Sequence, residues 1–175
     1  MKKPIIVSVL LFLLVSCWDE VSRQNKQAVL EAGTNTMKMN FESFIEDGWN
    51  KQDTAKFKAI STENFTRNLN GNPVATSQKE MQAHMAAFFK AFPDLHVRRD
   101  SIYIKDHTIF MHWTSTGTHK GAFGETEATG KKVKIKGLSQ LYFDTDGKIY
   151  QEDVVYNELE MLKQLGYSLN PPILE

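Results

Sequence analysis

Near Pro93 the hydrophobic period of this chain changes from helical to alternating, and that change constrains the fold more than any other feature. Before it, Met37, Phe41, Phe44, Ile45 and Trp49 recur at helical spacing, which predicts an amphipathic helix from about 29 to 49. Gly48 and the group 50–53 end that helix. Asp53 is suited to N-cap a second helix through about 60. Residues 68–76 hold Gly71 and Pro73 and read as loop. Ser77, with Glu80 three positions on, makes a capping box for a third helix, whose apolar side is Met81, Met85, Phe88, Phe89 and Phe92. After Pro93-Asp94, strands are predicted over 95–104, 108–118, 132–143 and 148–156. Asp106-His107 and Asp144-Thr145-Asp146-Gly147 are their tight turns. A last helix spans about 158–165 and stops at Gly166. Helices first and a meander of strands afterwards is an α+β order, with the helices on one face of an antiparallel sheet.

The N-terminus bears on where such a domain works. Lys2 and Lys3 precede an almost wholly apolar run from 4 to 16, which is the layout of a secretory signal. The run is short for a membrane span, which needs about 20 residues. Leu14-Val15-Ser16-Cys17 is similar to a bacterial lipobox, and Cys17 is the only cysteine. The expected organisation is a lipoprotein signal peptide over 1–16, a tether over 17–28 after a lipidated Cys17, and one domain over 29–175. The expected location is the cell envelope, anchored through that lipid on the periplasmic side or the cell surface. An uncleaved anchor is the alternative. Removing Lys2 and Lys3 takes Lys+Arg from 21 to 19 against 21 Asp+Glu, a formal charge of −2. With no basic patch left to neutralise phosphates, nucleic acid is not an expected partner. The five histidines show no H-x-x-x-H or H-E-x-x-H spacing, so no metal site is expected. Lys132, Lys134 and Lys136 alternate and fall on one solvated strand face.

Several short motifs appear in order. His112-Trp113-Thr114-Ser115-Thr116-Gly117-Thr118-His119-Lys120-Gly121 is followed by Thr129-Gly130-Lys131-Lys132-Val133. Around them stand Trp49-Asn50-x-x-Asp53, Arg67-Asn68-Leu69-Asn70-Gly71, Phe92-Pro93-Asp94-Leu95, Asp146-Gly147-Lys148-Ile149 and Leu162-Lys163-Gln164-Leu165-Gly166. Together these resemble the SnoaL-like polyketide cyclases of the nuclear-transport-factor-2-like superfamily. The resemblance implies a cone-shaped α+β barrel, a curved antiparallel sheet wrapped around N-terminal helices, with a ligand pocket at its open end. It also implies cofactor-free chemistry, in which an acid on the last strand moves a proton beside a carbonyl. A carboxylate held in a poorly hydrated pocket suits that step because burial raises its pKa.

The site residues follow from that resemblance, with departures. Glu152-Asp153-Val154 stands where many members read His-Trp-Asp, so the acid position itself falls on Val154. Asp153 and Val154 face opposite ways on an alternating strand, while Glu152 and Tyr156 share Val154's face. Either the strand slips by one residue and Asp153 enters the pocket, or Asp153 is outside. The candidate acids are therefore Asp153 and Glu152. His112, Trp113, Gln140, Tyr156 and Asn68 are the candidate pocket-lining residues. Ser139 or Gln140 occupies the position where a His is expected, and Asn68 replaces the His of an Arg-His pair. Each also has a plainer reading: the acids as solvated strand charges, His112 as a hydrogen-bonded structural histidine.

Two functions from different classes follow. One is an exported, lipid-anchored pocket protein that holds a small, mostly apolar molecule and performs cyclase- or isomerase-type acid/base chemistry without a cofactor. The other is a non-catalytic module whose open sheet face mediates homodimerisation or partner binding. A buried carboxylate on the pocket side of the last strand favours the first. A pocket plugged by apolar side chains favours the second.

Overall fold

In the computed structural model, residues 23–24 and 31–170 are described. The expected signal peptide, Cys17 and most of the tether lie outside the described residues, as do 171–175. Helix α1 occupies residues 31–43 and winds into a π-helical stretch, Phe44–Asn50. It is followed by α2 (Thr54–Ile60), β1 (Ser61–Leu69), β2 (Asn72–Ala75) and α3 (Gln78–Ala91). Then come β3 (His96–Lys105), β4 (Thr108–Thr118), β5 (Lys132–Phe143), β6 (Ile149–Tyr156) and α4 (Glu158–Leu165).

The helix boundaries follow local chemistry. Asp53 accepts from the N–H groups of Ala55 and Lys56 at 3.0 and 3.2 Å, which satisfies free donors at the start of α2. Ser77 accepts from the Glu80 N–H at 3.2 Å. Glu80 reaches back to Thr76 rather than to Ser77, bonding its N–H at 2.7 Å and its hydroxyl at 2.8 Å. Asn157 caps α4, and Gly166 ends it at φ +108°. The π-helical end of α1 carries Phe44, Ile45, Gly48 and Trp49, all buried, on the side that faces the sheet. The wider turn lets these neighbours in sequence reach one cavity.

The sheet has six strands in the order β2-β1-β6-β5-β4-β3. Neighbours are antiparallel except β1 and β6, which run parallel. The sheet does not close into a full barrel: β2 and β3 are its two edges. The loop expected over 68–76 is instead the β1–β2 hairpin. Asn70 and Gly71 both have positive φ, +50° and +86°, and form a two-residue turn that suits the twist of paired strands. Pro73 is compatible with a strand here because β2 is an edge and needs no second partner.

The inner face of the sheet packs against the helices. Phe44 of α1, Phe57 of α2 and Phe65 of β1 are fully buried and stack in sequence, with ring centroids 5.9 and 4.9 Å apart. Met81 and Met85 of α3 complete that layer. Lys132, Lys134 and Lys136 lie exposed on the outer face of β5.

Candidate functional site

Alternation along the strands decides what enters the hollow between sheet and helices. β4 points Met111, Trp113 and Ser115 inward, β5 points Val133, Ile135 and Ser139, β1 Arg67, and β6 Glu152. The helices add Phe44, Ile45 and Trp49 from α1, Phe88 and Phe92 from α3, and Met161 from α4. Together they enclose a cavity of about 70 Å³. Its wall is apolar except for Ser115 and for one end, where Arg67, Ser139 and Glu152 meet.

That polar end is made by the one parallel pairing in the sheet. Arg67 lies directly across from Glu152, and Asn68 directly across from Asp153. Because successive residues point to opposite faces, the two pairs separate. Arg67 Nη1 donates to Glu152 inside the cavity, where the two side chains are 10% and 3% exposed. Asn68 Nδ2 donates to Asp153 on the outer face at 2.7 Å, joined by the Tyr142 hydroxyl at 3.2 Å and Gln151 Nε2 at 3.1 Å.

Of the two candidate acids, Glu152 is therefore in the cavity wall and Asp153 is not. Trp113 lines the cavity. Four residues expected to line it do not. Asn68 bonds Asp153 on the outer face. Gln140 pairs in register with Asp153, one residue out of phase with the inward Ser139. His112 is exposed, out of phase with Trp113, and its Nδ1 lies 3.0 Å from the Ser101 hydroxyl. Tyr156 is half-buried and outside the lining, its ring centroid 6.1 Å from that of Trp113. Burial and the nearby Glu158 charge push the Tyr156 phenol up to about 12.

The environment of Glu152 is tightly specified. Burial pushes its carboxyl above the usual range, while the Arg67 charge and a hydrogen bond from Ser139 pull the other way. Ser139 in turn accepts from the Trp113 indole N–H at 3.1 Å, so its own proton is left for Glu152. Gly137 makes this possible. A Cβ there would lie 2.3 Å from Trp113 Cζ2, so only glycine lets the indole lie across β5. Arg67 is held from its other side by Trp49, with Cζ 5.2 Å from the ring centroid. Arg67 Nε is buried and has no hydrogen-bond partner.

Arg67 was the site residue that sequence reasoning left out. It stands in the Arg67-Asn68 motif, and alternation with the buried Phe65 would have placed it inside. Among the described residues no group of three or more His, Cys, Asp or Glu could hold a metal ion.

An open α+β cone with one buried carboxylate at the polar end of an apolar hollow defines a nuclear-transport-factor-2-like pocket protein. The family model for SnoaL-like polyketide cyclases matches residues 40–165, and the chain belongs to that family. A candidate SnoaL-like polyketide cyclase from Jannaschia sp. CCS1 superposes with a TM-score of 0.70 at 18% identity, covering 79% of this chain and 94% of its own. AclR from Streptomyces galilaeus gives 0.65 at 27% identity, covering 74% and 95%. A phenazine biosynthesis-related protein from Pseudomonas aeruginosa gives 0.63 at 17% identity, covering 83% and 96%. No curated protein shows significant sequence similarity to the chain.

Proposed function

We propose that this protein binds a small, mostly apolar carbonyl compound in its cavity and moves a proton on it, with Glu152 as general acid/base. The observation that carries the reading is the buried Glu152 carboxylate, the only acid among the described residues of the cavity wall, paired with Arg67 in a mostly apolar hollow. A carboxylate deprived of water is a stronger base than a solvated one, and a general acid–base group contributes about 10²–10⁴-fold in rate. Cyclisation or isomerisation of an enolisable ketone fits the chemistry without a cofactor. The non-catalytic reading predicts a plugged hollow, and the cavity between Trp49, Trp113 and Glu152 argues against it.

Export and lipid anchoring at Cys17 belong to this proposal; they rest on Lys2-Lys3, the apolar run and Leu14-Val15-Ser16-Cys17. So does a homodimer, for which the exposed Tyr150 and Val155 on the outer face of β6 offer apolar surface.

The test begins with a thermal-shift screen of small cyclic ketones, since a ligand that binds only the folded state raises its apparent stability. With a binder in hand, turnover is compared across variants. Glu152→Gln keeps the shape and is expected to lose about 10²-fold or more. Asp153→Asn, on the outer face, is expected to stay within a few-fold of wild type. Full activity in Glu152→Gln would sink the assignment.

A further inference from the structure

The ion pair in the cavity has one feature that a purely structural pair does not need. Arg67 commits Nη1 to Glu152, while its Nε–H is buried with no acceptor. A buried, unpaired donor on a charged group is costly, and a guanidinium presents its donors in a fixed plane. Trp49 fixes that plane from one face. The wall around it, from Phe44 and Phe88 to Met111 and Ile135, is mostly apolar, and neither cavity serine, Ser115 or Ser139, bonds it.

Resting on the reading of Glu152 as proton acceptor, we propose that Arg67 changes partner during the reaction, holding the Glu152 carboxylate at rest and the ligand's oxygen once Glu152 is protonated. The substrate class is then a compact, neutral carbonyl compound with an acidic C–H beside the carbonyl. In the step, the C–H bond breaks and its proton forms an O–H on Glu152. The electron pair delocalises onto the carbonyl oxygen, which accepts from Arg67 Nε–H as an enolate. Return of the proton from Glu152 to a different carbon isomerises the ligand; attack of the enolate carbon on a second carbonyl closes a ring, and the proton goes to the new alkoxide.

Charge is conserved inside the cavity throughout. At rest Arg67 carries +1 and Glu152 −1. After transfer Arg67 carries +1, Glu152 is neutral and the ligand carries −1. Keeping the buried sum at zero avoids the desolvation cost of an uncompensated ion. A ligand that brought its own carboxylate would break that balance, which is why the site selects a neutral one.

Phenols test this directly, because the O–H stands in for the acidic C–H and the phenolate is visible by ultraviolet absorption. The probes are 4-cyanophenol and 4-nitrophenol, at a pH well below the ionisation of each. In wild type the bound phenol is expected to show the phenolate band with no proton released to solvent, since Glu152 takes it. Glu152→Gln is expected to show the band only with release of one proton, and affinity that rises with pH. The double variant Arg67→Met with Glu152→Gln removes both charges, a change that buried pairs tolerate. It is expected to lose the band and bind the neutral phenol; circular dichroism confirms its fold. A neutral spectrum in wild type, release of a proton in wild type, or no bound phenol overturns the proposal.

Deuterium exchange beside the carbonyl of cyclohexanone separates this proposal from the reading beneath it. Exchange that depends on Glu152, together with a neutral phenol, overturns the partner change and leaves Glu152 as the base. A phenolate band without exchange overturns Glu152 as a base toward carbon, and the proposal falls with it.

Discussion

His84 sits on α3 with its ring 5.0 Å from that of Phe88, and its Nε2 is buried without a partner. Burial, and after it the Arg67 charge, lowers its pKa from 6.5 to about 4. Between those values the unfolded chain binds a proton that the native state does not. Stability therefore falls as pH drops from about 6.5 towards 4 and is unaffected by this group above 6.5. The loss is about 2 kcal/mol after discounting for the solvent that reaches the ring. His84→Phe should flatten that part of the curve in urea unfolding series at several pH values; an unchanged slope would refute the burial argument. Asp47, Glu80, Asp94 and Asp100 are held below their usual range, chiefly by Lys51, Thr76, Thr118 and Thr114. Their losses come at lower pH. Glu152, pushed up, acts with the opposite sign. The site was half legible at this scale. Alternation put Glu152 with Val154 on one face, but which face turns inward depends on a register with β1, and no element was expected over 61–67, where most of that strand lies. Asn68, Gln140 and His112 were misplaced for the same reason, each one residue out of phase with an inward neighbour.

Among the elements, β5 shows how a single position organises a wall. Gly137 lies opposite Trp113 in register, and the indole crosses it to reach Ser139. Gly137→Ala would drive a methyl into a ring held in that position, an overpacking that costs about 1–3 kcal/mol. The expected outcome is a lower urea midpoint with an unchanged slope, and a shifted tryptophan emission as the indole is displaced. A midpoint equal to wild type would show that the ring moves freely. The α3 to α4 elements were legible because their signals are local: a cap at Ser77, a stop at Gly166, a turn at Asp144–Gly147, alternation from Thr108 to Thr118. The β1–β2 hairpin was missed although Asn70-Gly71 is a strong hairpin signal. Pro73 argued against a strand, and only the place of β2 at the sheet's edge removes that objection.

For the whole molecule, the change of period at Pro93 foretold the α+β class and the strands after it, but not β1 and β2, which precede α3. It did not foretell the parallel pairing of β1 with β6, since no local pattern encodes a partner 85 residues away. The proposed location is checked at this scale too. Mass spectrometry of the protein from its native host is expected to find an acylated N-terminus at Cys17, and an intact Met1 or an unmodified Cys17 would refute it.

The parallel pairing also fixes a sequence of events in synthesis. As the chain leaves the ribosome, β3, β4 and β5 can zip together in turn, each with the strand just made. β1 must wait, unpaired on one side, until residue 156 has emerged. Arg67 and Glu152 meet only then, so no shorter nascent chain holds the ion pair. Any fragment that ends before β6 leaves Arg67 facing a mostly apolar hollow without its counter-ion. Formation of the buried ion pair and completion of the sheet are, in this fold, a single event.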